Sequence, residues 1–329
     1  MKRSIGARKG LPRSVLVTGG LGFIGSHLST SLLMKGCEVK VFDDESTGRR
    51  GNLPLRVRGL QVRHGDILDG TELRTFAAGC EATVHLAGVL GIRTMTDSDS
   101  MRRVNVEGTK VVLDSCIHAG VSSFVLASSL AVYGGLPPGN AGLFREPRSE
   151  YGGSKLEAEG LCNEAAATGR ISTMALRLAN VYGPKMRLEG EASVMAEFAK
   201  SVTLGTPLRI FGDGRQTRDF IHVDDVISAI LDVLAQPAPG FDALDIGTGK
   251  ETSINGLADL FLESSGRALP VVHLPAAREA RRSRAHTGRA AKLLGFRARV
   301  PLRKGVVDVI QWHESVQRSR ADLPSRAEW

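Results

Sequence analysis

Long apolar runs are missing from this chain of 329 residues. No stretch reaches the roughly 18 to 20 apolar residues that a membrane-spanning helix needs. The basic N-terminus leads into a strand pattern rather than into the apolar core of a signal peptide. Because 42% of the residues are hydrophobic, the chain can fill a substantial core. We therefore expect a soluble, cytoplasmic, globular protein with no membrane partner.

Cysteine is scarce, and the four cysteines are widely scattered. None of their spacings matches a paired zinc motif, and each cysteine lies in or beside an apolar segment, where a buried thiol behaves as a small hydrophobe. We expect neither disulfides nor a metal site. These residues are Cys37, Cys80, Cys116 and Cys162.

Negative charge is also in deficit, since the formal net charge is +8. Such an excess fits an anionic ligand, a nucleic acid or an arginine-rich solvated surface. Much of it lies at 2–13 and 278–303, and neither stretch interleaves aromatic with basic residues as a single-strand binder does. Nucleic-acid binding is therefore not expected, but charge alone does not choose between the other two.

Short β-branched runs alternate with helical patterns in the first half of the chain. This alternation indicates a parallel sheet with crossover helices, and the nearly continuous apolar runs are typical of strands covered on both faces. The second half has longer helical stretches separated by glycine and proline. The strands are predicted at 15–18, 38–42, 60–64, 82–86, 123–127 and 172–178, and the later helices at 193–204, 254–263 and 305–316.

A glycine-rich turn follows the first predicted strand and leads into a helical pattern. Gly19, Gly22 and Gly25 would allow positive φ angles and a close approach of phosphates, whose charge is met by free N–H groups at the helix start. Phe23 and Ile24, at that start, are assigned to the same cofactor site. An ordinary strand-to-helix packing turn is the alternative.

Asp43 ends the second predicted strand, where a carboxylate would accept hydrogen bonds from the adenosine ribose of a dinucleotide. It would repel a ribose phosphate, which favours NAD over NADP, although Arg49 and Arg50 lie close by. A turn aspartate is the alternative. We predict an α/β fold with a Rossmann-type doubly wound NAD-binding domain over 1–180, to which some later segments can return. A smaller, helix-rich domain is predicted over 181–329.

Further motifs follow in a fixed order. They are Gly65-Asp66-Ile67, His85-Leu86-Ala87-Gly88, Asn105-Val106-Glu107-Gly108-Thr109, Ser128-Ser129-Leu130-Ala131-Val132-Tyr133-Gly134, Tyr151-Gly152-Gly153-Ser154-Lys155, Leu176-Arg177, Asn180-Val181-Tyr182-Gly183-Pro184 and Arg218-Asp219-Phe220-Ile221-His222-Val223-Asp224-Asp225. From about 15 to 312 the chain resembles the extended short-chain dehydrogenase/reductase superfamily. Within it, the chain is similar to the NAD-dependent nucleotide-sugar epimerases and dehydratases, a family typified by UDP-glucose 4-epimerase.

The resemblance implies a set of residues around the cofactor. Asp66 and Ile67 would flank the adenine, Ala87 and Gly88 would pass beneath the cofactor, and Asn105 would be a structural or cofactor-side residue. Taken singly, Asp66 could cap a helix, Gly88 could form a turn and Asn105 could lie on a helix face. Their order along the chain favours the cofactor site.

Tyr151 and Lys155 are four residues apart in a segment of good helix formers, so both side chains would project from one helix face. An ammonium near a phenol favours the phenolate, and we expect it to lower the pKa of Tyr151 from about 10 toward the working pH. A surface pair is the alternative. The resemblance implies that Lys155 reaches the nicotinamide ribose, that Ser129 hydrogen-bonds the reacting sugar hydroxyl, and that Ser128 lies beside the cofactor.

Leu130 and Ala131 distinguish between subclasses. The similar 4,6-dehydratases carry an Asp-Glu pair after the serine or threonine, and the glucuronate decarboxylases carry a glutamate; neither residue here can exchange a proton. The resemblance therefore implies a 4-epimerase that acts through a transient 4-keto sugar and bound NADH. A decarboxylase, a dehydratase, a 4-ketoreductase and a catalytically silent NAD-binding regulator remain as alternatives.

The resemblance also implies that the domain over 181–329 binds a nucleotide-diphosphate sugar. Asn180 would contact phosphate or sugar, Arg218 the diphosphate and Phe220 the base; a loop amide, a surface ion pair and a core aromatic are the respective alternatives. A further phosphate-binding arginine of the family falls on Ala276, so its role would pass to another residue. The candidates are Arg278, Arg281 and Arg282. A homodimer is the usual state of the family.

Overall fold

The computed structural model describes residues 10–54, 56–90, 98–135, 145–186, 193–276 and 280–321. The strands are β1 (Ser14–Thr18), β2 (Glu38–Asp43), β3 (Leu60–His64), β4 (Ala82–His85), β5 (Ser123–Ser129), β6 (Ser172–Leu178), β7 (Asn180–Tyr182), β8 (Leu208–Phe211), β9 (Thr217–Arg218), β10 (Phe220–His222), β11 (Phe241–Ile246), β12 (Thr252–Ser253), β13 (Val271–Leu274) and β14 (Arg282–Ser283). The helices are α1 (Phe23–Met34), α2 (Gly70–Ala77), α3 (Ser98–Arg102), α4 (Gly108–His118), α5 (Glu150–Ala167), α6 (Val194–Leu204), α7 (Val223–Ala235), α8 (Ile254–Ser265), α9 (Gly288–Leu294) and α10 (Leu302–Ala321).

Seven strands form one sheet in the order β11-β6-β5-β4-β1-β2-β3, and every pairing in it is parallel. The strand order reverses beside β1, because β2 lies on one side of it and β4 on the other. Ligands of such sheets bind at this reversal, beyond the carboxyl ends of the strands. The predicted Rossmann-type doubly wound fold is confirmed. Strand β11 comes from the second half of the chain, so a later segment does return to the sheet.

The two faces of the sheet carry separate apolar cores. Val15 and Val17 pack in one core with side chains of α1 and α7, whereas Leu16 packs in the other with side chains of α2, α4 and α5. Successive residues of a strand point to opposite faces. Both faces are therefore covered, which explains why β1 reads as an unbroken apolar run.

The second half of the chain builds a smaller lobe with its own core. Helices α6, α8 and α10 pack together there, and the rings of Phe198 and Phe261 meet edge to face at 5.8 Å between centroids. Three short strand groups border this lobe, namely β10-β7, β12-β9-β14 and β13-β8. The described part of the chain contains no helix long and apolar enough to cross a membrane.

Candidate active site

The glycine turn between β1 and α1 has almost no room for side chains. Gly19 has a φ of +67°, and a Cβ on it would lie 2.7 Å from the Ala87 amide nitrogen. A Cβ on Gly25 would collide with the Gly19 carbonyl oxygen. Gly22 caps α1 without a side-chain hydrogen bond, and the first helical turn, from Phe23, holds no acidic residue. No side chain caps the backbone N–H groups at the start of α1, and no acidic side chain lies in its first turn, which suits binding of a pyrophosphate.

Replacing Gly25 by alanine tests this turn. The added methyl group must displace the Gly19 carbonyl, and overpacking of this kind costs about 1–3 kcal/mol. We therefore expect NAD affinity to fall by about 5- to 150-fold in isothermal titration calorimetry. Gly160→Ala, in α5, is the control, because a Cβ there meets nothing within 4 Å. Unchanged NAD affinity in Gly25→Ala would remove the turn from the cofactor site.

Asp43 ends β2 beside the same turn, and its two carboxylate oxygens each accept a backbone hydrogen bond. Its Oδ2 accepts a hydrogen bond from the Leu21 amide at 2.9 Å, and its Oδ1 accepts one from the Glu45 amide at 2.9 Å. Burial raises the pKa of the Asp43 carboxyl, and the two amide hydrogen bonds partly offset this. Arg50 is paired with Glu45 at 2.7 Å. Contact between Asp43 and a ribose stays a prediction.

The predicted adenine-side residues differ in their surroundings. Asp66 is exposed, and its Oδ1 accepts a hydrogen bond from the Leu68 amide at 2.9 Å, as in a local turn. Ile67 is buried against Gly108 at the start of α4. Contact of Asp66 and Ile67 with the adenine therefore stays a prediction.

Asn105 joins the loop after β4 to helix α5. Its Oδ1 accepts from the Val89 amide at 2.8 Å, and its Nδ2 donates to the Val89 carbonyl and to Ser154 Oγ, each at 3.0 Å. Asn105 lies in a π-helical turn, Arg103–Glu107, a feature that often marks functional sites. A Cβ on Gly88 would lie 3.1 Å from Asn105 Oδ1 and 3.3 Å from Lys155 Nζ. Gly88, Asn105 and Lys155 therefore meet at the carboxyl end of β4.

A buried histidine, His85, is linked through hydrogen bonds to Asn105. His85 Nδ1 lies 2.7 Å from Thr18 Oγ1, and its Nε2 lies 3.1 Å from Thr109 Oγ1, which donates to the Asn105 carbonyl at 2.7 Å. Because the Thr109 proton is engaged, Nε2 must carry the imidazole proton. Burial, and to a smaller extent Lys155, lower the pKa of His85 to about 3. His85 is therefore a neutral link between β1, β4 and the π-helical turn.

The three predicted catalytic residues meet at the end of β5. Ser129 is the last residue of β5, and its hydroxyl interacts with the phenol of Tyr151. Tyr151 and Lys155 lie one turn apart in α5, and Lys155 Nζ is 5.9 Å from the centre of the Tyr151 ring. Ser149 caps α5 by accepting a hydrogen bond from the Gly152 amide at 3.1 Å. The helix start thereby fixes Tyr151 opposite Ser129.

The expected lowering of the Tyr151 pKa by Lys155 is wrong for the protein without cofactor. Burial raises the pKa of the Tyr151 phenol to about 12, and the interaction with Ser129 offsets this only in part. Lys155 is 7% exposed, and burial lowers its pKa to about 8. Part of the Tyr151 ring remains exposed, but protein atoms surround its hydroxyl densely enough for desolvation to dominate.

Ser128 is joined to a buried ion pair for which no role was predicted. Its Oγ donates to Glu159 Oε1 at 2.6 Å, and Glu159 is also held by Arg177 Nε at 2.8 Å and Nη2 at 2.6 Å. The Ser128 hydroxyl is thus committed to the protein interior, and a cofactor contact stays only a prediction. A signal for Glu159 was present in the sequence, because Tyr151, Lys155 and Glu159 follow one another at intervals of four on α5.

The predicted substrate residues lie where the two lobes meet. Asn180 is exposed at the start of β7, and its backbone N–H donates to the backbone carbonyl of Asp219 at 2.9 Å. Arg218, in β9, is partly exposed and its Nη1 donates to the Thr217 carbonyl at 2.8 Å. Phe220 is 4% exposed and meets the Tyr182 ring edge to face. This placement favours the core alternative for Phe220, so we leave it out of the proposed site.

Two of the three arginines that could replace the one missing at Ala276 lie beside β9. Arg278 lies outside the described residues. Arg281 Nη2 is 3.5 Å from Asp213 Oδ2, and Arg282 Nε donates to Glu251 Oε1 at 3.0 Å. Arg282 pairs with Thr217 across β14 and β9, next to Arg218. Which of them contacts a diphosphate stays a prediction.

Two of the comparisons with known proteins concern sequence relatives. The UDP-glucose 4-epimerase of Mycolicibacterium smegmatis is 34% identical over 305 residues, which cover 90% of this chain and 97% of the relative. The dTDP-glucose 4,6-dehydratase of Streptomyces antibioticus is 31% identical over 313 residues, which cover 91% and 92% of the two chains. Similarity to both therefore leaves the reaction subclass open.

A solved structure and a family model agree with this result. A protein named MoeE5, solved in complex with UDP-glucuronic acid and NAD, matches with a TM-score of 0.82 and 33% identity over 93% of this chain and 99% of that one. The model of the NAD-dependent epimerase/dehydratase family matches residues 15–247. The predicted family and NAD as its cofactor are thus confirmed, and this chain belongs to the NAD-dependent epimerase/dehydratase family.

Proposed function

We propose that this enzyme is a nucleotide-sugar 4-epimerase. The observation that carries the proposal is that neither of the two residues after Ser129, at the end of the strand that faces Tyr151, is an acid. Leu130 is buried, and Ala131 donates its backbone amide hydrogen to Ser129 Oγ at 3.2 Å. Elimination and decarboxylation call for a further acid, base or charged group, whereas epimerisation does not.

The chain's own residues divide the work at the sugar. Ser129 hydrogen-bonds the 4-hydroxyl and holds it against Tyr151, which removes its proton as the base. Lys155, with its pKa lowered to about 8, is still mostly protonated at neutral pH, and its charge favours the phenolate. Bound NAD supplies the hydride acceptor and later the donor, so that hydride return to the other face of the keto-sugar inverts carbon 4 without net redox change.

The proposed substrate is a nucleotide-diphosphate sugar. Its diphosphate would lie near Arg218, whose guanidinium suits paired phosphate oxygens, and near the exposed Asn180. The ligand of MoeE5, UDP-glucuronic acid, and the substrate named for the M. smegmatis relative, UDP-glucose, support this class. Asp43 and the glycine turn would hold NAD on the other side of the crevice. We also propose a homodimer, which sedimentation velocity would test.

Nuclear magnetic resonance of sugar products tests the reaction. The purified protein with NAD is incubated with UDP-, TDP- and GDP-sugars, and proton couplings around carbon 4 are followed. We expect one of these sugars to convert to its 4-epimer with no change in NADH absorbance. If every sugar keeps its configuration, the proposal fails. Release of carbon dioxide, loss of water or net consumption of NADH would instead identify a decarboxylase, a dehydratase or a 4-ketoreductase.

A further inference from the structure

A buried chain of hydrogen bonds begins next to the catalytic strand. Ser128, beside Ser129, is bonded to Glu159, and Glu159 is held by Arg177 through two nitrogens. The third guanidinium nitrogen, Nη1, donates to the hydroxyl of Tyr133 at 2.6 Å. All four linked residues are buried. This chain of hydrogen bonds therefore connects β5 through α5 and β6 to the 3₁₀ helix Leu130–Tyr133.

From Tyr133 the hydrogen-bond chain continues through Asp245 of β11 to the segment that follows β14. Arginine can only donate, so the Tyr133 oxygen accepts from Arg177 and its own proton goes to Asp245 Oδ1, at 2.8 Å. Asp245 Oδ2 accepts from the amide of His286 at 3.0 Å. Every donor in this order has an acceptor, which fixes the direction of each bond. The Tyr133 hydroxyl thus links Arg177, and through it Glu159 and Ser128, to the segment after β14.

A second carboxylate holds the same segment from the substrate side. Asp219 is fully buried next to Arg218, and its Oδ2 accepts from the Ala285 amide at 3.1 Å and from the Gly249 amide at 2.9 Å. Asp219 and Asp245 therefore accept hydrogen bonds from two consecutive backbone amides, those of Ala285 and His286 respectively. These amides follow β14, which pairs with β9 so that Ser283 lies opposite Arg218.

We propose that Tyr133 and Asp245 are positioning residues that set the distance between the Arg218-bearing strand pair β9–β14 and the catalytic residues Ser129 and Tyr151. A diphosphate bound at Arg218 then places the sugar ring against Tyr151. The proposal rests on the function and substrate site proposed above. It extends them by assigning the alignment of substrate and catalyst to the buried hydroxyl of Tyr133, which bonds to Arg177 and Asp245.

Tyr133→Phe removes only this hydroxyl and keeps the ring in the core. It leaves an Arg177 N–H group and an Asp245 oxygen without their partner, and we expect kcat to fall and the Kd of UDP-glucose to rise, each by about tenfold. NAD affinity should stay within about twofold, because Asp43 and the glycine turn lie on the other side of β4 and carry no bond of the chain. UDP-glucose and NAD binding are measured by isothermal titration calorimetry.

Tyr182→Phe is the matched control. Tyr182 is equally deep in the protein, but its hydroxyl has no hydrogen-bond partner in the described part of the chain. Its loss should leave kcat and both affinities within about twofold. If Tyr133→Phe lowers the unfolding temperature but leaves kcat and UDP-glucose affinity like those of this control, Tyr133 only stabilises the fold and the proposal is overturned.

A double-mutant cycle separates positioning from general damage. Arg218→Lys directly weakens the proposed contact with the diphosphate. The Tyr133 hydroxyl bonds to Arg177 and Asp245 and not to Arg218. If Tyr133 aligns Arg218, the loss of UDP-glucose affinity in the double variant should be several-fold smaller than the product of the two single losses. Multiplicative losses would overturn the proposal. The binding cycle needs no turnover, so it still tests the positioning role if the protein proves not to epimerise the sugar.

Discussion

Tyr151→Phe is expected to lower kcat for epimerisation by about 10²- to 10⁴-fold, the usual contribution of a positioned proton-transfer group. Phenylalanine keeps the ring against Lys155 and Ser129 but cannot take the proton of the sugar hydroxyl. The affinities for NAD and UDP-glucose should change much less, because the glycine turn, Asp43 and Arg218 are untouched. Single-turnover kinetics with calorimetric binding data separate the two effects.

Tyr182→Phe again serves as the control, since it removes a buried phenol that lies in the core of the smaller lobe. It should retain essentially full activity. A Tyr151→Phe protein that keeps more than about one tenth of the normal kcat would show that another group removes the proton. In that case the Ser129 and Tyr151 pair would be a structural contact at the end of β5.

The protonation state of Tyr151 gives a pH-dependent expectation. The chain has three tyrosines, and burial raises the pKa of each phenol above its ordinary value. Spectra of protein labelled with ¹³C at tyrosine Cζ should therefore show no tyrosine titrating below about pH 11 without cofactor. Adding NAD should lower the pKa of one signal, which Tyr151→Phe removes. Because the phenolate is the base, kcat should rise with pH up to that pKa; no shift on adding NAD would contradict this account.

Glu159→Gln is expected to lower the free energy of unfolding by about 3–5 kcal/mol, because it leaves the buried Arg177 guanidinium without its counter-charge. The Glu159 side chain is 1% exposed and that of Arg177 is 9% exposed, so water cannot replace the lost carboxylate oxygen. Burial lowers the pKa of Arg177 and the hydrogen bonds and charge of Glu159 raise it by more. An arginine stays charged at any working pH even without that glutamate. Urea denaturation with linear extrapolation measures the loss.

Glu263→Gln is the control for this substitution. Glu263 pairs with Arg303 at 2.6 Å, but the two side chains are 59% and 63% exposed, and exposed pairs contribute only about 0–1 kcal/mol. A loss below about 1 kcal/mol in Glu159→Gln would mean that the interior tolerates an unpaired guanidinium. The hydrogen-bond chain from Ser128 to His286 would then not be held rigidly by the ion pair between Glu159 and Arg177.

The sequence predicted the N-terminal half closely because its signals are local. The predicted strands 60–64 and 172–178 coincide with β3 and β6. Strand β6 is buried along most of its length and is visible as a mainly apolar run, whereas β3 is an edge strand, visible from the alternation of its apolar and polar residues. The predicted helix 305–316 is shorter than α10, which begins at Leu302. Its first turn carries Arg303 and Lys304, which add nothing to an apolar periodicity.

Other features had no local signal. Strand β11 joins the sheet beside β6 although the residues between them build much of the second lobe, and strand neighbours so far apart in sequence leave no pattern in either segment. Tyr133 and Asp245, 112 residues apart, meet only because β11 takes that place. Their joint role was therefore invisible in the motifs, although Tyr133 lies inside one of them.

The sequence by itself determined the family, the glycine turn with Asp43, and the spacing that puts Tyr151 and Lys155 on one helix face, because each depends on residues close together in the chain. Only the tertiary structure decided that burial raises the Tyr151 pKa instead of Lys155 lowering it, and that Glu159, Arg177, Tyr133 and Asp245 form one chain behind the site. Desolvation and buried polar contacts depend on which distant segments pack together, and the fold alone fixes that.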